Sequence, residues 1–225
     1  MAKTTRTPQE VQEFKNIILQ VAVDLISTMG FNNMSMRKLA GKLGMTAANI
    51  YNYYSSKDEL YLDIQTNGFN VMYERCINSV KDISDPRKKL ANIIREYIRF
   101  GIEDPHCYDI IFSMDTPKYR DYRNSKIEPV AFLEKQAGMK LFDATVNITK
   151  EFYRPNNINL EDLRFNIIHL WIQVHGLVSL YNSRVLQEVE ENTEALISNL
   201  VEVFLMNCIT TYPKDYSTTR VVKSF

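Results

Sequence analysis

The chain has 225 residues, 45% of them hydrophobic, enough to bury a substantial core in one large or two small domains. Lysine plus arginine and aspartate plus glutamate both number 27, which excludes a global positive field and leaves any affinity for nucleic acid to a local patch. Three widely spaced cysteines, Cys76, Cys107 and Cys208, suggest neither a disulfide framework nor a zinc site, and no run reaches the roughly 18 apolar residues of a membrane span.

Seven glycines and seven prolines, no Asn-Gly or Asp-Gly hairpin signal, and apolar spacing near 3.6 predict an all-α chain. The first helix starts at Thr7-Pro8-Gln9-Glu10, where Thr7 can cap, Pro8 fits the first helical position and Glu10 completes a capping box; Gly30 ends it. Its stripe Val11, Phe14, Ile18, Val21, Ala22, Leu25 and Ile26 is built to pack on the two short helices after it. Ser35 caps the first of these, which runs through Leu39 and Leu43 to Gly44, a residue suited to the left-handed conformation of a helix end. Thr46 caps a third helix of about two turns. Ser56-Lys57-Asp58-Glu59 is a second capping box, opening a longer helix to about Asp82 in which Gly68 is a candidate bend.

Asp85-Pro86 starts another helix with Leu90, Ile93, Ile94, Tyr97 and Ile98 on its apolar face, up to Gly101; Asp104-Pro105 breaks the chain. Residues 107–153 read as less regular, punctuated by Pro117 and Pro129. After a loop at Pro155-Asn156-Asn157, two long helices are expected over 160–183 and 192–212, with an irregular tail beyond them. Both carry more apolar residues than one core needs, Ile168 and Ile172 among them, so a homodimer burying this pair in a four-helix packing is the expected arrangement. The alternative is burial under the irregular middle region.

Residues 35–54 have the length and punctuation of a helix-turn-helix, whose second helix enters the major groove of a double-stranded DNA operator. Ala47, Ala48 and Asn49, at the start of that helix, and Asn52, one turn on, approach the bases: small residues can touch a thymine methyl and asparagine can pair with adenine. Arg37 can reach guanine or phosphate, and Ser35, Lys38, Thr46, Tyr51, Tyr53 and Lys57 complete the DNA-facing set, with Lys57 at a helix start where backbone N–H groups attract anions. Tyr54 reads instead as a core aromatic. Through residue 60, seven basic residues (Lys3, Arg6, Lys15, Arg37, Lys38, Lys42, Lys57) face five acidic ones, an asymmetry too small to decide anything.

Gly30-Phe31, Leu39-Ala40, Gly44-Met45-Thr46, Ile50-Tyr51, Tyr53-Tyr54 and Ser56-Lys57-Asp58-Glu59-Leu60 together resemble, in register over about fifty residues, the DNA-binding region of the TetR family of transcriptional regulators. Leu170-Trp171-Ile172-Gln173-Val174-His175-Gly176-Leu177 resembles the Trp-x-x-x-His-Gly signature of one class of ligand-binding regions in that family. Ala48 stands where the family often has glycine, and Ala47 where a polar residue is frequent. The resemblance implies a homodimer with a DNA-binding domain over 9–69 and a ligand-binding and dimerisation domain over 70–225, the helix from Lys57 linking pocket to DNA.

On this reading the chain is a cytoplasmic, ligand-responsive repressor released from its operator by a small apolar or aromatic effector. Candidate effector contacts are Tyr97, Phe100, Tyr108, Phe112, Phe132, Trp171 and His175. The polar N-terminus does not have the pattern of a secretion signal, and neither a membrane partner nor a cofactor is expected. No metal is expected either: His169 and His175 lie about 240° apart around a helix, too far to share an ion. No nucleophile and carboxylate are arranged around His175, so no catalytic residue is assigned. The competing reading is a helical small-molecule-binding or catalytic protein with no DNA role, supported by the neutral charge and aromatic-rich C-terminal region.

Overall fold

In a computed structural model, residues 7–153 and 159–209 are described, and among them there is no strand. Lys3, Arg6, the expected loop at Pro155-Asn156-Asn157, the last residues of the final expected helix and the tail lie outside these residues. The described residues form, in order, the helices α1 Pro8–Met29, α2 Met36–Lys42, α3 Ala47–Tyr51, α4 Lys57–Asn78, α5 Pro86–Glu103, α6 Pro105–Tyr108, α7 Glu128–Phe152, α8 Leu160–Asn182, α9 Val185–Val189 and α10 Thr193–Ile209. A π-helical turn occupies Asp109–Ser113 and a 3₁₀ turn Tyr119–Tyr122.

The expected caps explain the first boundaries. Glu10 N donates to Thr7 Oγ1 at 3.2 Å and Thr7 N to Glu10 Oε2 at 2.7 Å, a complete capping box. Lys38 N donates to Ser35 Oγ and Asn49 N to Thr46 Oγ1, while Gly44 takes φ +67°, the left-handed conformation glycine tolerates at no steric cost. The second box forms only in part. Glu59 N donates to Ser56 Oγ at 3.0 Å, but the Glu59 carboxylate reaches one residue further back and accepts from Ser55 N at 2.6 Å.

Several expectations need correction. α3 spans five residues rather than about two turns, and α4 ends at Asn78 rather than near Asp82. The long run over 107–153 is not irregular throughout: α7 is a 25-residue helix that Pro129 helps to open, since proline is favourable in a first helical turn and disruptive only further in. α9 lies between the two expected C-terminal helices, where no helix is expected. α4 runs unbroken through Gly68, where a Cβ would lie 2.9 Å from both Cys107 Sγ and Ile111 Cγ2, so the absence of a side chain permits close approach. Gly68→Ala is expected to cost roughly 1–3 kcal/mol in overpacking against a helix-propensity gain of about 1 kcal/mol, a net destabilisation of about 1 kcal/mol. An unchanged or raised denaturation midpoint would overturn that account.

Packing groups the chain into two compact units, one of Met1–Arg75 and Glu103–Lys140, the other of Cys76–Ile102 and Leu141–Phe225. In the first, Ile18, Ala22 and Ile26 of α1, Leu39 and Ala40 of α2, Ile50 of α3, and Leu60, Tyr61 and Ile64 of α4 share one core with Ile110 of the π-helical turn. In the second, α8 lies against α10, the Tyr153 hydroxyl donates to Cys208 O at 3.3 Å, and Asn182 Nδ2 donates to Gly101 O at 3.0 Å. The three cysteines are free, and burial pushes the Cys107 and Cys208 thiols up to about 12, which keeps them in the unreactive protonated form. Among the described residues, no helix is long and apolar enough to cross a membrane.

Candidate nucleic-acid interface

The stripe on α1 is held against α2 and α3 by a continuous apolar core, which leaves the opposite side of the helix pair open to a ligand. On that side Arg37, Lys38, Thr46, Ala48, Tyr51 and Asn52 are exposed or nearly so; Ser35, Ala47, Asn49, Tyr53 and Lys57 are half-buried. Tyr51 is 52% exposed, whereas Tyr54 is 1% exposed and donates its hydroxyl to Asp63 Oδ2 at 2.7 Å, with Lys15 Nζ 4.8 Å from its ring centroid. Burial and that neighbouring carboxylate raise the Tyr54 hydroxyl well above the ordinary phenol range, so it stays a proton donor. Tyr53 rests on Phe14, ring centroids 5.1 Å apart, with one edge in the core.

The basic side chains of the predicted set are placed differently from one another. Arg37 is exposed to solvent in the first turn of α2. Lys38 Nζ donates to Asn33 O at 2.9 Å. Lys57 Nζ donates to Phe31 O at 3.1 Å and sits 4.1 Å above the Phe31 ring, a cation–π contact in a half-buried position. Both lysines therefore tie down the turn between α1 and α2, and each ammonium keeps protons for a further acceptor.

Sequence reasoning missed how residues 105–113 serve this domain. The Tyr61 hydroxyl donates to Ile110 O at 2.7 Å, Gln65 Nε2 donates to the same oxygen at 3.3 Å, and both contacts are buried. α4 is thus fastened one and two turns beyond Lys57 to a π-helical turn far along the chain. The apolar pair Ile110-Ile111 was the available signal, but nothing local says which core receives it.

The seven candidate effector residues fall into separate groups. Tyr108 and Phe112 are in contact in the first unit, ring centroids 4.9 Å apart; Phe132, in the same unit, is 44% exposed and lies 5.9 Å from Tyr119. In the second unit Trp171 Nε1 donates to the Tyr97 hydroxyl at 3.0 Å, and the Trp171 and His175 rings are 6.3 Å apart. Phe100, also there, is fully buried. Burial lowers the His175 pKa below the ordinary histidine value, favouring the neutral ring. The unfolded chain then binds more protons at this site, so stability declines as pH falls through about 6.5 toward the lower folded value. His175→Gln is accordingly expected to shrink the loss of melting temperature between about pH 7.5 and about pH 5; an unaltered loss would contradict this.

The family model described as "Bacterial regulatory proteins, tetR family" matches residues 18–64, and that described as "Tetracyclin repressor-like, C-terminal domain" matches residues 90–204. The fatty acid metabolism regulator protein of Bacillus subtilis (strain 168) is 24% identical over 80 residues, 36% of this chain and 41% of that protein. The chain thus matches about two fifths of the length of that curated relative. Among solved structures, the fatty acid degradation regulator FadR from Bacillus halodurans has a TM-score of 0.65 at 15% identity, covering 90% of this chain and 97% of that one. A TetR family transcription regulator from Marinobacter aquaeolei VT8 has a TM-score of 0.63 at 17% identity, covering 89% and 98%. At these identities the structural likeness is one of fold. The two family-model matches take in most of the chain, including the whole of α2 and α3, and the chain belongs to the TetR family of bacterial regulatory proteins.

Proposed function

We propose that the chain is a dimeric transcriptional repressor that reads its operator with α3 and releases it when a small apolar or aromatic effector binds. The observation that carries the DNA role is the exposed face of α2 and α3, where Arg37, Ala48, Tyr51 and Asn52 project from a packed three-helix core. The DNA-binding domain is assigned to 9–69, with Arg37, Asn49 and Asn52 reading bases and Lys38, Tyr51, Tyr53 and Lys57 holding phosphates. Ser35 and Thr46 place the helix starts.

Dimerisation is assigned to α8 and α10. Phe165, Ile172 and Leu180 recur on α8 and Val203 and Met206 on α10, each between 46% and 61% exposed. Apolar side chains repeating along two packed helices are what a second copy would cover. Within the domain assigned to 70–225, the effector contacts are placed around Tyr97, Trp171 and His175, which are linked through Trp171, with Phe100 buried in the same compact unit. The two relatives named for fatty acid metabolism and degradation support an apolar effector class. Effector binding favours a dimer geometry whose recognition helices no longer match successive grooves, and only a difference in effector affinity between the two geometries can drive that change.

Direct binding measurements with Arg37→Ala and Lys57→Ala test the DNA reading. On a duplex selected by the full chain from a random pool, each is expected to lose about 1–3 kcal/mol of binding free energy, Lys57→Ala with a lower salt slope on any sequence. Because Lys57 also holds Phe31, its replacement should lower the melting temperature, whereas Arg37→Ala should not. Wild-type affinity in both variants would remove the DNA-facing assignment.

A further inference from the structure

The turn between the π-helical segment and α7 is built like a binding loop. From Lys118 to Lys126 it carries four basic residues against one acidic residue. Its own polar groups hold it in shape. Asp121 N donates to Lys118 O at 2.8 Å, Lys118 N donates back to Asp121 Oδ2 at 2.7 Å, and Asn124, in the left-handed region at φ +63°, donates its N–H to Glu128 Oε2 at 2.7 Å. The nearby acids Asp121 and Glu128 are thereby engaged by backbone donors. Arg120, Arg123 and Lys126 are all exposed and have no acidic partner among the described residues. Several other cations of this compact unit are anchored: Lys38 and Lys57 on carbonyls, Arg75 on Glu103, and Lys140 on Asn70.

The place of the turn matters as much as its charge. Tyr122, 5% exposed, packs with Leu62 of α4 and Ala131 of α7, so the turn is rooted about one helical turn beyond the residue that begins α4, Lys57. Burial chiefly raises the Tyr122 hydroxyl above its ordinary range, and the carboxylate of Asp58, next to Lys57, adds to it, consistent with that proximity. Three cations on a stiff support beside the first turns of α4 are suited to a polyanion, because little backbone order remains to be lost on contact.

Resting on the DNA-binding reading above, we propose that the Lys118–Lys126 turn is a second DNA-contact surface, in which Arg120, Arg123 and Lys126 take phosphates flanking the groove occupied by α3. The contact is independent of sequence. It adds affinity and salt dependence and extends the length of duplex engaged.

The test compares the full chain with an Arg120→Gln/Arg123→Gln/Lys126→Gln variant on a duplex of about 18 base pairs selected by the wild-type chain, and on the same site extended to about 40. Circular dichroism and sedimentation establish that the variant keeps its fold and assembly state. On the long duplex the variant is expected to bind at least about tenfold more weakly at about 0.1 M salt, with a salt slope smaller by about 0.9 for each phosphate released from the turn. On the short duplex the difference should shrink. A Lys81→Gln/Lys88→Gln variant, neutral at two exposed positions of the other unit, should retain the wild-type slope. Equal slopes for wild type and triple variant, or an equal weakening in the Lys81/Lys88 control, would overturn the proposal while the helix-turn-helix reading stands. If the wild-type chain selects no site and binds no duplex in a salt-dependent way, the DNA reading itself fails.

Discussion

Replacing Ile172 by glutamate is expected to convert the proposed dimer to a monomer and to weaken operator binding by at least about a hundredfold. Ile172 is 61% exposed on α8, one turn from His169 and two from Phe165, so its substitution disturbs no packed core of the subunit. In a dimer the same position would be covered. Each subunit would then bury one unpartnered carboxylate in an apolar contact, at a cost of several kcal/mol. Two half-sites bound by one dimer gain from effective concentration, and a monomer forfeits that gain. Sedimentation equilibrium gives the assembly state and titration of the selected duplex gives the affinity. A variant that remains dimeric would move the interface away from this face.

Tyr61→Phe should destabilise the fold by about 1–3 kcal/mol, the usual cost of leaving a buried polar group with too few partners. The change keeps the ring that packs on Phe31, centroids 4.5 Å apart, and removes only the hydroxyl that donates to Ile110 O. Gln65, at 3.3 Å, is left as the remaining side-chain donor to that oxygen. Burial pushes the Tyr61 hydroxyl up to about 12, so the bond is made by a neutral phenol throughout the ordinary pH range. The destabilisation should therefore be the same at about pH 6 and about pH 8. Urea denaturation at both values checks it. An unchanged midpoint would mean that the turn at 109–113 is held by its apolar contacts alone.

The elements of the N-terminal region were legible because each carries its own punctuation. Thr7, Ser35 and Thr46 cap their helices with their own side chains, and Gly30 and Gly44 end α1 and the α2 turn with positive φ. Where a boundary depended on partners elsewhere, the local signal misled. Glu59 had two serines within reach and took Ser55, and nothing in the local sequence shows that the missing side chain of Gly68 admits Cys107 and Ile111. Pro129 looked like a break because proline's meaning depends on whether a helix lies before or after it, and here it opens α7.

The candidate site divides in the same way. Which residues of α2 and α3 face outward follows from helical periodicity, because the apolar stripe determines the buried side and leaves Arg37, Ala48 and Asn52 opposite. The aromatics proposed for effector contact shared no such rule. Tyr97 and Trp171 meet through a hydrogen bond across 74 positions of chain, while Tyr108 and Phe112 pack in the other unit. Aromatic residues at helical spacing say that a face is apolar, not which face it will meet.

An all-helical chain, its capped helix-turn-helix and the family to which those residues point were all written in the sequence, since caps, turns and amphipathic stripes are interactions between near neighbours. It took the folded chain to show that Lys38 and Lys57 brace the turn after α1, that Ile110 joins the core shared by α1 to α4, and that the basic turn at 118–126 stands beside the first turns of α4. Tyr61 and Ile110, 49 positions apart, make one of the contacts that decide this arrangement. No local propensity encodes which distant partner satisfies a buried carbonyl or which cation is left facing solvent.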